Sequence, residues 1–357
     1  MKRGFLKKDD LGKLASAIAC EYDLYYLQKG KSDTPHLIKY DKELKDAVVG
    51  QVRPFEPLKN FFFNAREKVV DGYGGSLDIK EEKKPVCVFG VKNCDLIGLN
   101  ITDYVFSQGD FKDPFYIRNR ERNLVIAADC TYALDTCFCR ALGHEHFPQG
   151  NQDIVMSELR EGYLVESSTP KGDKVLEANK GILSEADKKY IDERDLIRKR
   201  TGEKVEENIR KNSIPRHTEY KDIIKANLGS GIWERESEAC VECGCCNVVC
   251  PTCHCFYLVD IQRRDNKELR YKVWDSCMYK RFAEVAGGAN PRQHLWERLR
   301  NRFEKKFDYF PEVSSQYACT GCGRCISGCP AEIDIRRVLK DLVAEKGNRK
   351  AKNPGAA

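Results

Sequence analysis

The hydrophobic pattern of the chain changes character along its length. In the first half, apolar residues come in short unbroken runs rich in β-branched side chains, VCVFGV at Val86–Val91 and NLVIAA at Asn123–Ala128. Runs of this length, bounded by polar residues, predict buried strands. Tyr163-Leu164-Val165-Glu166 after Gly162 predicts another. From Ser184 the period becomes helical. Ser184-Glu185-Ala186-Asp187 has the form of a capping box, and a polar helical stretch follows to about Lys211, with Gly202 expected to interrupt it. Gln293–Lys306 reads as a helix with Leu295, Trp296, Leu299 and Phe303 on one side and arginines on the other. Ile335, Val338, Leu339 and Leu342 form a last apolar stripe, ending near Gly347. The fold class is therefore α+β. Its mixed α/β domain spans 1–183, a helical connector spans 184–235, a second domain spans 236–345, and 346–357 is a disordered tail.

Charge adds little to this picture. Lys and Arg number 61 against 55 Asp and Glu, and the pairs Lys188–Lys189 and Lys305–Lys306 and the run Arg198-Lys199-Arg200 are mostly interleaved with acids. Mixed charge of this kind reads as solvated helix surface, and no concentrated basic stripe marks a nucleic-acid partner. No apolar run approaches the ~20 residues of a membrane span. The N-terminus, MKRGFLKKDDLGKL, lacks the apolar core of an export signal, so the expected location is the cytoplasm.

Cysteine changes the picture most. There are eighteen, twelve of them between Cys240 and Cys329. A reducing compartment argues against a disulfide framework and for metal or redox use. Cys240, Cys243, Cys246 and Cys250 are spaced C-x2-C-x2-C-x3-C with Pro251 following, and Cys319, Cys322, Cys325 and Cys329 repeat that spacing with Pro330. This is the run that binds [4Fe–4S] clusters. Three thiolates two residues apart can face one small concavity, with Gly244 and Gly323 letting the backbone pass close. The fourth points away, and in two-cluster proteins it serves the other cluster. The expected sets are Cys240, Cys243, Cys246 with Cys329, and Cys319, Cys322, Cys325 with Cys250. Zinc would leave half of these ligands idle. CPTCH at 250–254 has the form of a haem-attachment motif, but its first cysteine already belongs to a cluster run. The long segment between the runs reads as largely helical, which predicts an α-helical ferredoxin-type two-cluster domain rather than a ferredoxin β-sandwich.

The other cysteines are less defined. Cys94 and Cys130 follow predicted strands, while Cys137 and Cys139 form CFC, so these four can converge at one sheet edge as a third site, although their spacing fits no stock motif. Cys20 and Cys87 read as inert buried thiols. His144 and His146, beside the CFC loop, read as surface residues. No catalytic residue is assigned: no nucleophile triad, HExxH motif or P-loop is present. Gly72-Tyr73-Gly74-Gly75 and Gly229-Ser230-Gly231 do not fit a dinucleotide-binding turn.

FGVKNCDLIGL (89–99), FYIRNRERNLVIAADC (115–130), TCFC (136–139), CPTCHCF (250–256) and WDSC followed by VAGGANPR (274–292) carry a family signature. From about residue 55 to about 340 the chain resembles the β subunits of cytoplasmic sulfhydrogenases and the related A subunit of anaerobic sulfite reductase. The resemblance implies an iron–sulfur electron-transfer subunit without catalysis of its own. Its partners would be a flavin- and NAD(P)-binding diaphorase-type subunit and a terminal catalytic subunit, a nickel–iron hydrogenase or a sulfite reductase. It also implies cysteines at all four positions of the third site, and at Cys253, Cys255 and Cys277, whereas Cys245 is peculiar to this chain. Two readings of Cys253, Cys255 and Cys277 stand open, a soft jacket around a cluster or ligands replacing the N-terminal set. The alternative function is a reductase that acts directly on a disulfide or sulfur compound.

Overall fold

A strand that is apolar at every position needs both faces covered, and the middle of a helix-flanked parallel sheet provides that. The computed structural model describes residues 2–31, 34–71, 84–216, 220–264 and 268–352; the stretch Gly72-Tyr73-Gly74-Gly75 lies outside them. Its strands are β1 (Arg3–Lys7), β2 (Asp23–Gln28), β3 (His36–Lys39), β4 (Arg66–Asp71), β5 (Val86–Val91), β6 (Leu124–Ala128), β7 (Ile154–Glu158), β8 (Gly162–Ser167), β9 (Leu183–Ser184), β10 (Phe256–Gln262) and β11 (Glu268–Trp274). The first sheet has the order β3-β2-β5-β6-β7-β8-β1-β9. Its centre, β2-β5-β6-β7, is parallel, and the strands on either side are antiparallel. All five residues of β6 are buried, as the unbroken apolar run requires. The helix Asn93–Ser107 leaves the carboxyl end of β5. The helix Pro114–Arg122 leads into β6, and its first turn is capped by the Asp113 carboxylate, which accepts the Phe115 and Tyr116 N–H groups at 3.0 Å.

Within the expected connector, 184–235, the first helix, Lys188–Lys211, runs unbroken through Gly202. Here packing overrides propensity: Gly202 is buried, and its bare Cα admits the His146 ring and the Arg140 guanidinium. The expected capping box at Ser184 does not form; the N-cap is Asp187, without a side-chain cap.

Beyond it, the helices Tyr220–Ala226, Ile232–Ser237, Leu295–Glu304 and Ile335–Lys352 gather around a core that includes Trp233, Leu299, Phe303, Phe307, Val338 and Leu339. The final helix continues into the segment read as tail, because Ala, Lys and Arg prolong a helix once it is nucleated. Residues 353–357 lie outside the described residues. The segment between the two cysteine runs is not purely helical. It contains the hairpin β10–β11, and β11 pairs with β4 from the first half of the chain.

The two halves are joined through buried charge. Arg324, in the second cysteine run, lies fully buried against Asp95 at 2.7 Å, and its Nε donates to the Pro54 carbonyl at 2.9 Å. Arg53 reaches back to the Cys322 carbonyl and to Ser327 Oγ. The Phe138 N–H donates to the Gly321 carbonyl at 2.8 Å. Removing one partner of a buried ion pair strands the other charge, at a cost of about 3–5 kcal/mol. Asp95→Asn is therefore expected to lower thermal stability sharply, and Asp95→Asn with Arg324→Met to recover much of the loss. A double variant no more stable than the single one would remove this pair from the joint.

Candidate functional site

The cysteine runs fold into short loops that end in single helical turns, Cys245–Val248 and Arg324–Ser327. Gly244 and Gly323 stand at their N-caps with φ of 71°, the left-handed region that favours glycine. What lies closest to them is protein: a Cβ on Gly323 would sit 2.2 Å from the Thr136 carbonyl oxygen, and one on Gly244 would strike the Tyr279 ring.

The thiols surround three cavities. Cys240, Cys243, Cys246 and Cys329 line the first, together with Cys245 and Arg302. Cys250, Cys319, Cys322 and Cys325 line the second, with Arg302 and Lys306. The fourth cysteine of each run thus lies with the first three of the other. Cys94, Cys130, Cys137 and Cys139 line the third cavity, at the carboxyl ends of the parallel strands β5 and β6 where open α/β sheets place their ligands. Cys325 borders the first and second cavities, and Cys322 the second and third, so the three adjoin in series. Cys243 is exposed, which puts the first cavity at the protein surface.

Among the described residues no group of three or more His, Cys, Asp or Glu side chains closes tightly enough for a single metal ion. The thiols stand around voids instead, the disposition suited to a cluster with iron at several corners. Each cavity is lined by at least four soft sulfurs, the donor set that iron–sulfur clusters take. Burial pushes the Cys130, Cys246 and Cys319 thiols up to about 12, so their thiolates need a positive partner.

Buried cations provide part of that charge. Arg302, on the helix Leu295–Glu304, lines both the first and second cavities, and its Nε donates to Asn247 Oδ1 at 3.2 Å. Lys306 Nζ lies 3.3 Å from Cys250 Sγ and 3.6 Å from Cys253 Sγ, and donates to Thr252 Oγ1 and the Ala318 carbonyl. The contact with Cys253 and the Lys306 and Lys59 ammoniums hold the Cys250 thiol well below its ordinary value. Around the third cavity, Lys92 is wholly buried and donates to the Val49 and Asp129 carbonyls, while Arg324 lies beside Cys94.

These cations are what sequence patterning missed. Arg298 and Arg302 were expected on the solvent side of their helix, but are 1% and 5% exposed, and Lys306 is 4% exposed. The helix's own pattern gives no hint of this, because every position outside the stripe of Leu295, Trp296, Leu299 and Phe303 is polar. His146, expected at the surface, is buried on the wall of the third cavity, and burial lowers its ring pKa. Cys87 is buried as expected. Cys20 is not: it is exposed near the end of the helix Leu11–Glu21 and donates to the Ser16 carbonyl. Cys253, Cys255 and Cys277 line a separate, fourth cavity.

Residues 239–333 match the family model of a 4Fe-4S dicluster domain, which defines the chain as an iron–sulfur electron-transfer protein. Over 290 residues it is 31% identical to sulfhydrogenase 2 subunit beta of Pyrococcus furiosus, covering 81% of this chain and 84% of that one. The chain belongs to the sulfhydrogenase beta-subunit family. A shorter stretch of 108 residues is 26% identical to the pyruvate-flavodoxin oxidoreductase of Trichormus variabilis, covering 30% of this chain and 7% of that protein. Among the described residues no helix is long and apolar enough to cross a membrane.

Proposed function

We propose that the chain relays electrons within a cytoplasmic complex, between a flavin- and NAD(P)-binding subunit and a terminal catalytic subunit of the hydrogenase or sulfite-reductase type. The observation that carries this reading is the series of three cavities, each lined by at least four thiols, with shared walls. Cys240, Cys243, Cys246 and Cys329 hold one [4Fe–4S] cluster, Cys319, Cys322, Cys325 and Cys250 a second, and Cys94, Cys130, Cys137 and Cys139 a third. When bound, the clusters supply reversible one-electron storage. The protein holds them in order, excludes water and sets their potentials. Arg302 and Lys306 favour the more negative, reduced state of the first two sites. The cations around Cys94 and Cys130 do the same for the third. The exposed Cys243 marks the end of the series where a partner gains closest approach.

Reconstituted protein is expected to bind about twelve irons per chain, four for each cluster. Cys94→Ser should remove about four of them and leave the low-temperature EPR signals of the other two clusters in place. A content of about four irons or fewer would sink the relay; about eight, unchanged by Cys94→Ser, would remove only its third member. Lys306→Met takes a cation from beside Cys250, so one reduction midpoint should move negative by about 60 mV or more, a tenfold change for a one-electron couple. Redox titration followed by EPR reads that shift, and an unmoved potential would deny Lys306 this role.

A further inference from the structure

The first cavity is lined by one thiol more than its cluster needs. Cys240, Cys243, Cys246 and Cys329 supply four ligands, and Cys245 lines the same space. Cys325 also borders it, but lies with the ring of the second cavity.

The position of Cys245 is specific. It opens the helical turn Cys245–Val248, directly after Gly244 in the left-handed region. Its sulfur lies over the backbone of Gly328, where an added Cβ would stand 3.0 Å from it. Gly328 precedes Cys329, the ligand that crosses from the second run. Burial raises the Cys245 thiol above its ordinary value, with further contributions from Cys243, Cys329 and Cys325. The fifth sulfur therefore stands on the side of the ring that Cys243 and Cys329 share.

Cys243 is the ligand most open to solvent: it is exposed, whereas Cys240, Cys246 and Cys329 are half-buried. Its bond to iron is the one that water or an alkylating agent reaches first. Few groups are placed to replace it. Among the described residues no histidine, carboxylate or hydroxyl lines the cavity, and the Arg302 guanidinium has no lone pair to offer. Cys245 is two residues from Cys243, so their Cα atoms lie within ~7 Å of each other whatever the loop does.

We propose that Cys245 is a reserve ligand of the first site, taking the iron that Cys243 releases. This rests on the reading that the first cavity holds a [4Fe–4S] cluster. In the exchange, one iron–sulfur bond to Cys243 breaks and one to Cys245 forms. The proton of the Cys245 thiol passes to the Cys243 sulfur, and no electron is gained or lost. Four thiolates stay in place, and the thiol left free is the exposed one. The site nearest the surface thus gives up its outermost ligand without giving up iron.

Iron content of the reconstituted full-length chain tests this, with alanine variants because alanine has no donor atom of its own. Cys240→Ala, on the side of the ring away from Cys245, should lose about four irons. Cys243→Ala should keep its iron, with altered g values for one cluster in low-temperature EPR. Adding Cys245→Ala to Cys243→Ala should remove about four irons. In the unaltered chain, iodoacetamide should alkylate Cys243, located by peptide mass spectrometry, without loss of iron. The same treatment of Cys245→Ala should cost about four irons. Loss of about four irons in Cys243→Ala alone, with the EPR signals of the other clusters intact, would overturn the proposal. If that variant does not fold, alkylation of the unaltered chain decides. Label on Cys243 accompanied by loss of iron, or label on Cys245 alone with iron retained, would overturn it equally. Iron unchanged in Cys240→Ala and in the double variant would instead refute the first cluster, and the exchange with it.

Discussion

The structure depends on opposite charges that are buried together. Thirteen thiols line three adjoining cavities, and those that hold metal must be ionised to do so. Burial alone opposes that ionisation, and burial of Arg302, Lys306, Lys92 or Arg324 alone would be as unfavourable. Placed against one another they are compatible. This is why lysine and arginine, rarely buried, fill so much of the space between the domains.

The same constraint explains the architecture. A relay has to keep its centres close while holding water off them. Crossing the fourth cysteine of each run into the other cavity locks two distant segments into one unit. The α/β domain is then held against that unit by Arg324–Asp95, by Arg53 and by the Phe138–Gly321 backbone bond, and this brings the carboxyl ends of β5 and β6 to Cys322. The hairpin β10–β11 ties the remaining segment to β4, so the link between the cysteine runs is also a link between domains. The chain behaves less as two modules with a connector than as one support for a line of sulfur rings.

Cys253, Cys255 and Cys277 first read as a jacket or as substitute ligands. They line a cavity of their own, which Lys305 and Lys306 also line. That geometry arises because CPTCHCF leaves the cluster loop and enters β10, while WDSC follows β11. The hairpin brings the two motifs side by side, and the π-helical turn Lys305–Tyr309 brings Lys305 and Lys306 to the same cavity.

What the sequence determined by itself was local. The spacing of each C-x2-C-x2-C-x3-C run shapes a loop within a dozen residues, and the unbroken apolar runs at 86–91 and 124–128 require a covered sheet, whatever the rest of the chain does. The convergence of Cys94, Cys130, Cys137 and Cys139 was legible as an option, since strand ends are natural sites, but not as geometry. Only the tertiary structure decided which residues would be the counter-charges. Arginine and lysine on a polar helix read as solvent-facing, because nothing in their neighbourhood reveals a sulfur ring supplied by a remote segment. Arg302 meets Asn247 and the cysteines, Arg324 meets Asp95, and Lys306 meets Cys250 only after the chain has closed on itself. Charge compensation over such separations is a property of the folded surface contacts, and no window of sequence contains it.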